Sequence, residues 1–227
     1  MADQVTAKEI PKIIHQIWLG PHDPPTIWMD TWKENFCPKY AWEYRLWRDS
    51  DVLTFGLVNQ KEFDGGYTFQ EKADIARYEI LYRHGGIYLD CDMIWLGDDI
   101  ASFVDLSASS FIGVQEYPSK WLINIGHPFL SNGMFMVSKN NKILQNCIDK
   151  IPANESKEPK DPMYLRTGPG LLNSCISQQI SIIPYTYVFP VDFHKPSGIT
   201  DPVKEFKGKA FIFTYNGSEY PHIKKKA

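Results

Sequence analysis

Gln70 to Leu96 reads QEKADIARYEILYRHGGIYLDCDMIWL, and this stretch decides the fold. It divides into a helix, two glycines, a short apolar strand and two aspartates one residue apart. From Glu71 to His84 there is no glycine or proline, and good helix formers dominate. Gly85 stands where a left-handed residue ends a helix, with Arg83 and His84 in the last turn. Turned at about 100° per residue, Lys72, Ala76, Glu79 and Arg83 gather on a face expected in water. Asp74, Arg77, Tyr78 and Leu81 gather on the opposite, inward face. A carboxylate and a guanidinium on that face must pair with each other or line a cleft, because burying either alone is costly.

Ile87-Tyr88-Leu89 is short, apolar and follows glycines, as expected of a strand buried in a mainly parallel sheet. In extended backbone Asp90 and Asp92, at i and i+2, would point the same way and repel. A divalent cation relieves that repulsion. Ligands that are all oxygen favour Mg²⁺ or Mn²⁺, ions that keep waters and bind substrate phosphates. Alone, D-x-D also occurs on ordinary solvated loops, and an Asp/Arg pair at i,i+3 can be a plain salt bridge.

The composite A-D-x-x-R-Y-x-x-L-x-x-x-G-G-x-Y-x-D-x-D, from Ala73 to Asp92, resembles the signature of glycosyltransferase family 32. That family includes yeast mannosyltransferases and bacterial capsule enzymes, with the glucosylating clostridial toxins as distant relatives. The resemblance implies an α/β fold of GT-A type, with a Rossmann-like, mainly parallel central sheet flanked by helices. It also implies a nucleotide-diphosphate sugar as donor (UDP- or GDP-linked), a divalent metal and retention of anomeric configuration. Asp74 and Arg77 would touch the donor sugar, with Tyr78 beside them. Asp92 would bind the metal directly and Asp90 through water or phosphate. Ile17 and Trp18 would belong to the donor site, with Trp18 stacking on the base, although an ordinary core tryptophan reads the same way.

The chain's 227 residues suit a single α/β domain, with flexible tails expected at 1–9 and 223–227. A composition 43% hydrophobic and 14% aromatic supplies a large core and argues against disorder. A net charge of −3 gives no reason to expect nucleic acid. Cys37, Cys91, Cys147 and Cys175 show no paired spacing and read as free thiols. No apolar run reaches the roughly 18 residues of a membrane span, and MADQVTAKEI has no signal core, so a cytoplasmic location is expected.

In chain order, Ile13 to Leu19 is a strand and its His15 a packed core histidine; Pro24 to Asn35 is a helix with Trp28 and Trp32 inward. Tyr40 to Trp47 alternates as a second strand, and a short helix lies around Ser50 to Asn59. Phe111 to Gln115 is a further strand, and Tyr117 to Leu130 a surface or acceptor-facing loop. Asn132-Gly133 reads as a turn before the strand Met134 to Val137. The family places a similar segment beside the donor, which makes Asn132 a site candidate. Asn140 to Ile151 is an amphipathic helix with Ile143, Leu144, Cys147 and Ile148 inward, and Ala153 to Pro162 a loop. Thr167-Gly168-Pro169 matches another family feature ahead of a helix over Leu171 to Ile176. Strands follow at Ile180–Ile183 and Ala210–Thr214.

The family closes its metal site with a histidine- and tryptophan-rich string before Gly-Ser-Trp. Here Phe213 to Glu219 keeps only Gly217-Ser218, which leaves Asn216, Ser218 and His222 as candidates for a third ligand. The function expected is transfer of a hexose to a glycan or other hydroxyl acceptor. Two alternatives are a nucleotide-sugar-binding protein without turnover and a metal-dependent phosphohydrolase. The second normally needs its first aspartate on the first strand, and Asp90 comes after two earlier strands.

Overall fold

The computed structural model describes residues 9–118, 128–156, 161–177, 179–192 and 194–215. Strand β1 (Ile13–Ile17) leads into helix α1 (Thr26–Asp30), a wide π turn over Thr31–Phe36 and helix α2 (Cys37–Tyr40). Strand β2 (Glu43–Trp47), α3 (Asp49–Phe55), α4 (Gln60–Gly65) and the long α5 (Phe69–His84) follow. Next come β3 (Gly86–Leu89), β4 (Met93–Trp95), β5 (Phe111–Gln115) and β6 (Leu130–Val137). The chain continues through α6 (Lys142–Ser156), α7 (Met163–Arg166), α8 (Pro169–Cys175), β7 (Ser181–Ile183), α9 (Pro202–Phe206) and β8 (Ile212–Thr214).

Six strands form the main sheet in the order β2-β1-β3-β6-β5-β7. The pairings β2–β1, β1–β3 and β5–β7 are parallel, whereas β6 runs against both of its neighbours. The expected mainly parallel α/β sheet is therefore present, with one reversed strand at its centre. Strand alternation sends side chains to two layers. Tyr88 and Phe135 enter a core with Tyr78 of α5 and Leu144 of α6, while Ile87, Leu89 and Met134 pack with Trp32, Phe36 and Phe211 on the other face.

The start of α5 is fixed by Thr68, whose hydroxyl accepts from the Glu71 N–H at 3.1 Å, while Glu71 accepts from the Tyr67 N–H. Its end is fixed by Gly85 (φ +65°), and Gly86 follows at φ +105°. A Cβ at Gly86 would lie 2.6 Å from the Ile13 carbonyl oxygen, so glycine lets the strand lie against β1.

Five details differ from the expectations. Ala76 and Glu79 of α5 are buried rather than in water, because α4 and α6 pack against that helix; of the expected outer face, Lys72 is half-buried and Arg83 is exposed while bonding to the Phe55 and Gly56 carbonyls. Asn132-Gly133 is no turn but the interior of β6, where Gly113 pairs with Phe135 and Val114 already with Ser131, a bulge. Tyr40 closes α2 on a left-handed Ala41, and β2 starts at Glu43. Helix α6 runs on to Ser156, into the stretch expected to be a loop. Asp90 and Asp92 lie in a turn, not in extended backbone, with the Met93 N–H bonded to the Asp90 carbonyl at 3.2 Å.

Candidate active site

One cleft of about 610 Å³ opens where β1 and β3 end, and this size suits a small-molecule ligand. It is lined by Asp74, Arg77, Asp90, Asp92 and Asn132, and by Ile17 and Trp18, with the Cys91 thiol between the two aspartates bonded to the Ile17 carbonyl at 3.4 Å. Trp18 is partly buried, with its indole N–H bonded to the His22 carbonyl at 2.8 Å. Tyr78 does not line the cleft. It is fully buried behind the wall, where its hydroxyl donates to the carbonyls of Thr167 and Gly168 at 2.8 and 3.1 Å. His15 is a packed histidine, as its strand position suggested, with both ring nitrogens bonded.

Arg77 is the hub. Its Nε donates to the Ala73 carbonyl at 3.3 Å and Nη1 to the Asn132 carbonyl at 2.6 Å. Nη2 lies 3.1 Å from Asp74 Oδ1 and 3.5 Å from Asp90 Oδ1. The guanidinium stacks over the Tyr88 ring, 4.2 Å from its centroid. Alternation along β3 explains this: Tyr88 faces α5, so its ring meets Arg77 and its hydroxyl reaches Asp90 Oδ1 at 2.8 Å.

Asp74 is held from three sides. Besides Arg77, Asn132 Nδ2 donates to Oδ1 at 2.8 Å and the Thr167 hydroxyl to Oδ2 at 3.3 Å. Burial pushes its carboxyl up to about 6, against the pull of Arg77 and these hydrogen bonds. Burial also raises Asp90, opposed by Arg77 and the Tyr88 hydroxyl. Asp92 is pushed well above the usual carboxylate range by burial and then by Asp90.

Asp74 and Asp90 thus share one guanidinium, and Asp92 adds a third carboxylate beside Asp90. Asp92 Oδ1 is buried with no hydrogen-bond partner among the described residues. A Cβ on Gly133 would lie 2.6 Å from Asp90 Oδ2, so the strand's bare backbone makes room for that oxygen. An orphaned buried oxygen and excess negative charge fit a divalent cation. No group of three or more His, Cys, Asp or Glu suited to a metal occurs among the described residues. Two protein carboxylates completed by ligand oxygens match the habit of Mg²⁺ and Mn²⁺, which keep waters and phosphates. Asn216, Ser218 and His222 lie outside the described residues. The Tyr215 N–H donates to the Asp92 carbonyl at 2.9 Å, so the described chain ends against the aspartate pair.

Three further side chains support the site. Gln16, wholly buried in β1, donates to the Asp90 carbonyl at 3.2 Å and accepts from the Tyr44 hydroxyl at 2.7 Å. Its signal was a lone amide in an apolar strand. Tyr88 and Thr167 stood inside recognised motifs, but their contacts to Asp90 and Asp74 had no signature of their own.

Residues 25–104 match the family model described as a glycosyltransferase sugar-binding region containing a DXD motif. Inositol phosphoceramide mannosyltransferase 1 of Schizosaccharomyces pombe is 31% identical over 148 residues, 59% of this chain and 44% of that protein. An uncharacterized glycosyltransferase (L373) of Acanthamoeba polyphaga mimivirus is 40% identical over 93 residues, 37% of this chain and 36% of that protein. The chain spans less than half the length of these curated relatives. Among solved structures, the galactosyltransferase LgtC in complex with donor and acceptor sugar analogs superposes with a TM-score of 0.55 at 14% identity, covering 92% of this chain and 88% of that one. The PaToxG glycosyltransferase gives 0.54 at 18% identity, covering 74% and 69%. The fold is GT-A, and the stretch that matches the DXD family model includes the whole motif from Ala73 to Asp92. Among the described residues, no helix is long and apolar enough to cross a membrane.

Proposed function

We propose that the protein is a metal-dependent, retaining hexosyltransferase, moving a sugar from a UDP- or GDP-sugar to a hydroxyl of a glycan or glycoconjugate. The observation that carries this is the convergence of Asp74, Arg77, Asp90 and Asp92 on one cleft that Trp18 also lines. A ligand with a flat base for the indole and a sugar diphosphate for the charged groups matches that lining. The names of the yeast relatives, inositol phosphoceramide mannosyltransferases, favour a mannosyl donor and a glycolipid acceptor within this class.

Asp90 and Asp92 would hold the ion, Mn²⁺ or Mg²⁺, which supplies neutralisation of the diphosphate as the anomeric bond breaks. Arg77, immobilised by two carbonyls and the Tyr88 ring, keeps a positive charge in the same cleft and fixes the Asp90 carboxylate. Asp74 accepts from a hydroxyl of the donor sugar and orients the ring, with Asn132 and Thr167 setting its carboxylate. The acceptor oxygen bonds to the anomeric carbon, the bond to the diphosphate breaks, and the acceptor's proton passes to the departing phosphate oxygen. Cys91 is no covalent nucleophile. Its thiol is buried, bonded to the Ile17 carbonyl at 3.4 Å and raised far above its ordinary pKa by burial. Attack on the same face without an enzyme-bound sugar fits that arrangement.

The test is donor hydrolysis or transfer across UDP-glucose, UDP-galactose and GDP-mannose, with Mn²⁺ or EDTA. Nucleotide release that requires metal supports the reading. Metal-requiring binding without release identifies a binding protein instead, and phosphate release from simple monoesters would favour the hydrolase.

A further inference from the structure

Met163, Tyr164, Gly168 and Pro169 line the cleft, and one row of side chains on α5 seats the segment that carries them. Glu71, Asp74 and Tyr78 lie at i, i+3 and i+7 on a shared face. Glu71 meets Arg166, Asp74 meets the Thr167 hydroxyl, and Tyr78 meets the Thr167 and Gly168 carbonyls. Arg166 has no place in the proposed chemistry, yet its side chain is 7% exposed and shared between Glu71 (1%) and Glu155 of α6 (13%). Its carbonyl also accepts from Asn154 Nδ2 at 3.0 Å, a second tie to α6. Such a buried arginine is costly unless both carboxylates stay in place. The fork therefore locks the start of α5, the end of α6 and the residue preceding Thr167 into one geometry.

We propose that Arg166 is a positioning residue for the sugar side of the cleft: clamped by Glu71 and Glu155, it sets Thr167 so that Asp74 is oriented to grip the donor's hexose. The assignment rests on reading the cleft as a nucleotide-sugar site. It separates two parts of one ligand. Ile17 and Trp18, read as the side for the nucleotide, lie on β1 and the segment after it, whereas the side chain of Arg166 is bonded to α5 and α6. The sugar side depends on Asp74, whose second oxygen is held by the residue next to Arg166.

The experiment is calorimetric titration of wild type, Arg166→Lys and Glu155→Gln with Mn²⁺ and, separately, UDP, GDP, UDP-glucose, UDP-galactose and GDP-mannose. Lysine keeps the charge but loses the fork, and Glu155→Gln keeps Arg166 paired with Glu71, so one variant remains readable if the other misfolds. Arg166→Lys is expected to weaken binding of the accepted nucleotide sugar by about tenfold, with binding of its free nucleotide within about twofold of wild type. Glu155→Gln should shift the same ratio in the same direction by less. Parallel losses for nucleotide and nucleotide sugar, or no change in either, would assign Arg166 to general stability and overturn the proposal alone. A wild-type chain that binds none of the five ligands overturns the reading of the cleft, and this assignment with it.

Discussion

A set of titratable groups stands at each end of strand β3, and the two are built on opposite principles. At its start His15 is fully buried, its Nδ1 accepting from the Trp47 indole N–H and its Nε2 donating to the Gly85 carbonyl, both at 3.0 Å. Burial, then His84 and Arg45, lower this histidine to about 3, so the ring is neutral and has no bonding capacity left. At the far end Asp74 and Asp90 share one guanidinium, and Asp92 keeps a buried oxygen without a partner among the described residues. A closed network serves the fold, whereas one left open in charge and hydrogen bonds is shaped for a ligand.

The sharpest way to break this comparison is Asp92→Ala. We expect donor turnover to fall about a thousandfold, the scale of several kcal/mol of lost leaving-group stabilisation. The melting temperature should hold or rise, because an uncompensated carboxylate leaves the interior. Normal turnover, or a collapse in stability, would put this end of the strand in the same class as the other. Arg77→Lys comes next. A single ammonium cannot reproduce the fork to Asn132, Asp74 and Asp90, and we expect about a hundredfold loss in kcat/KM by steady-state assay.

Asn132→Ala should cost about tenfold in kcat/KM, the scale of one hydrogen bond to a charged group. It also removes one of the bonds that hold the Asp74 carboxyl down, so the acid limb of the pH profile should move upward. With Asp74 near 6, wild-type kcat/KM should fall as pH drops through 6, where the carboxyl gains a proton and stops accepting from the sugar. The same shift has a sign for stability. The folded chain binds this proton more tightly than the unfolded chain, so Asp74 favours folding increasingly as pH falls from 6 to 3.8, visible as a rising melting temperature in an Asp74→Asn difference.

At the closed end, Trp47→Phe leaves His15 Nδ1 unsatisfied. It should cost about 1–3 kcal/mol in chemical denaturation without changing donor KM. A change in donor KM there would blur the distinction between the two ends.

What the sequence made legible was local. Helix, glycine stop, buried strand and aspartate pair fall within one continuous stretch, and each carries a spacing or conformational signature. His15 was readable as packed because it sits in an apolar strand. The contacts that finish the site are of another kind. Thr167 reaches Asp74 from 93 residues away and Gln16 meets Asp90 across 74, and neither separation leaves a periodic trace. Asn132-Gly133 reads as a turn because the dipeptide favours turns, but in the structure a bulge keeps it inside β6 and aims the amide at Asp74. Glu79 looked solvent-facing by periodicity. Its carboxylate instead caps the Val58 and Asn59 N–H groups at 2.5 and 2.8 Å, a tertiary contact that the helical period cannot foresee.

The open end of β3 is tested most directly by Mn²⁺ electron paramagnetic resonance, in which the six-line signal of free ion falls as it binds. With wild-type protein and the matching nucleoside diphosphate, UDP or GDP, the signal should fall below that of Mn²⁺ and nucleotide alone by about one ion per chain, and with Asp92→Ala it should stay at the level of Mn²⁺ and nucleotide without protein. Equal binding by both proteins, or none by wild type at saturating nucleotide, would contradict the account.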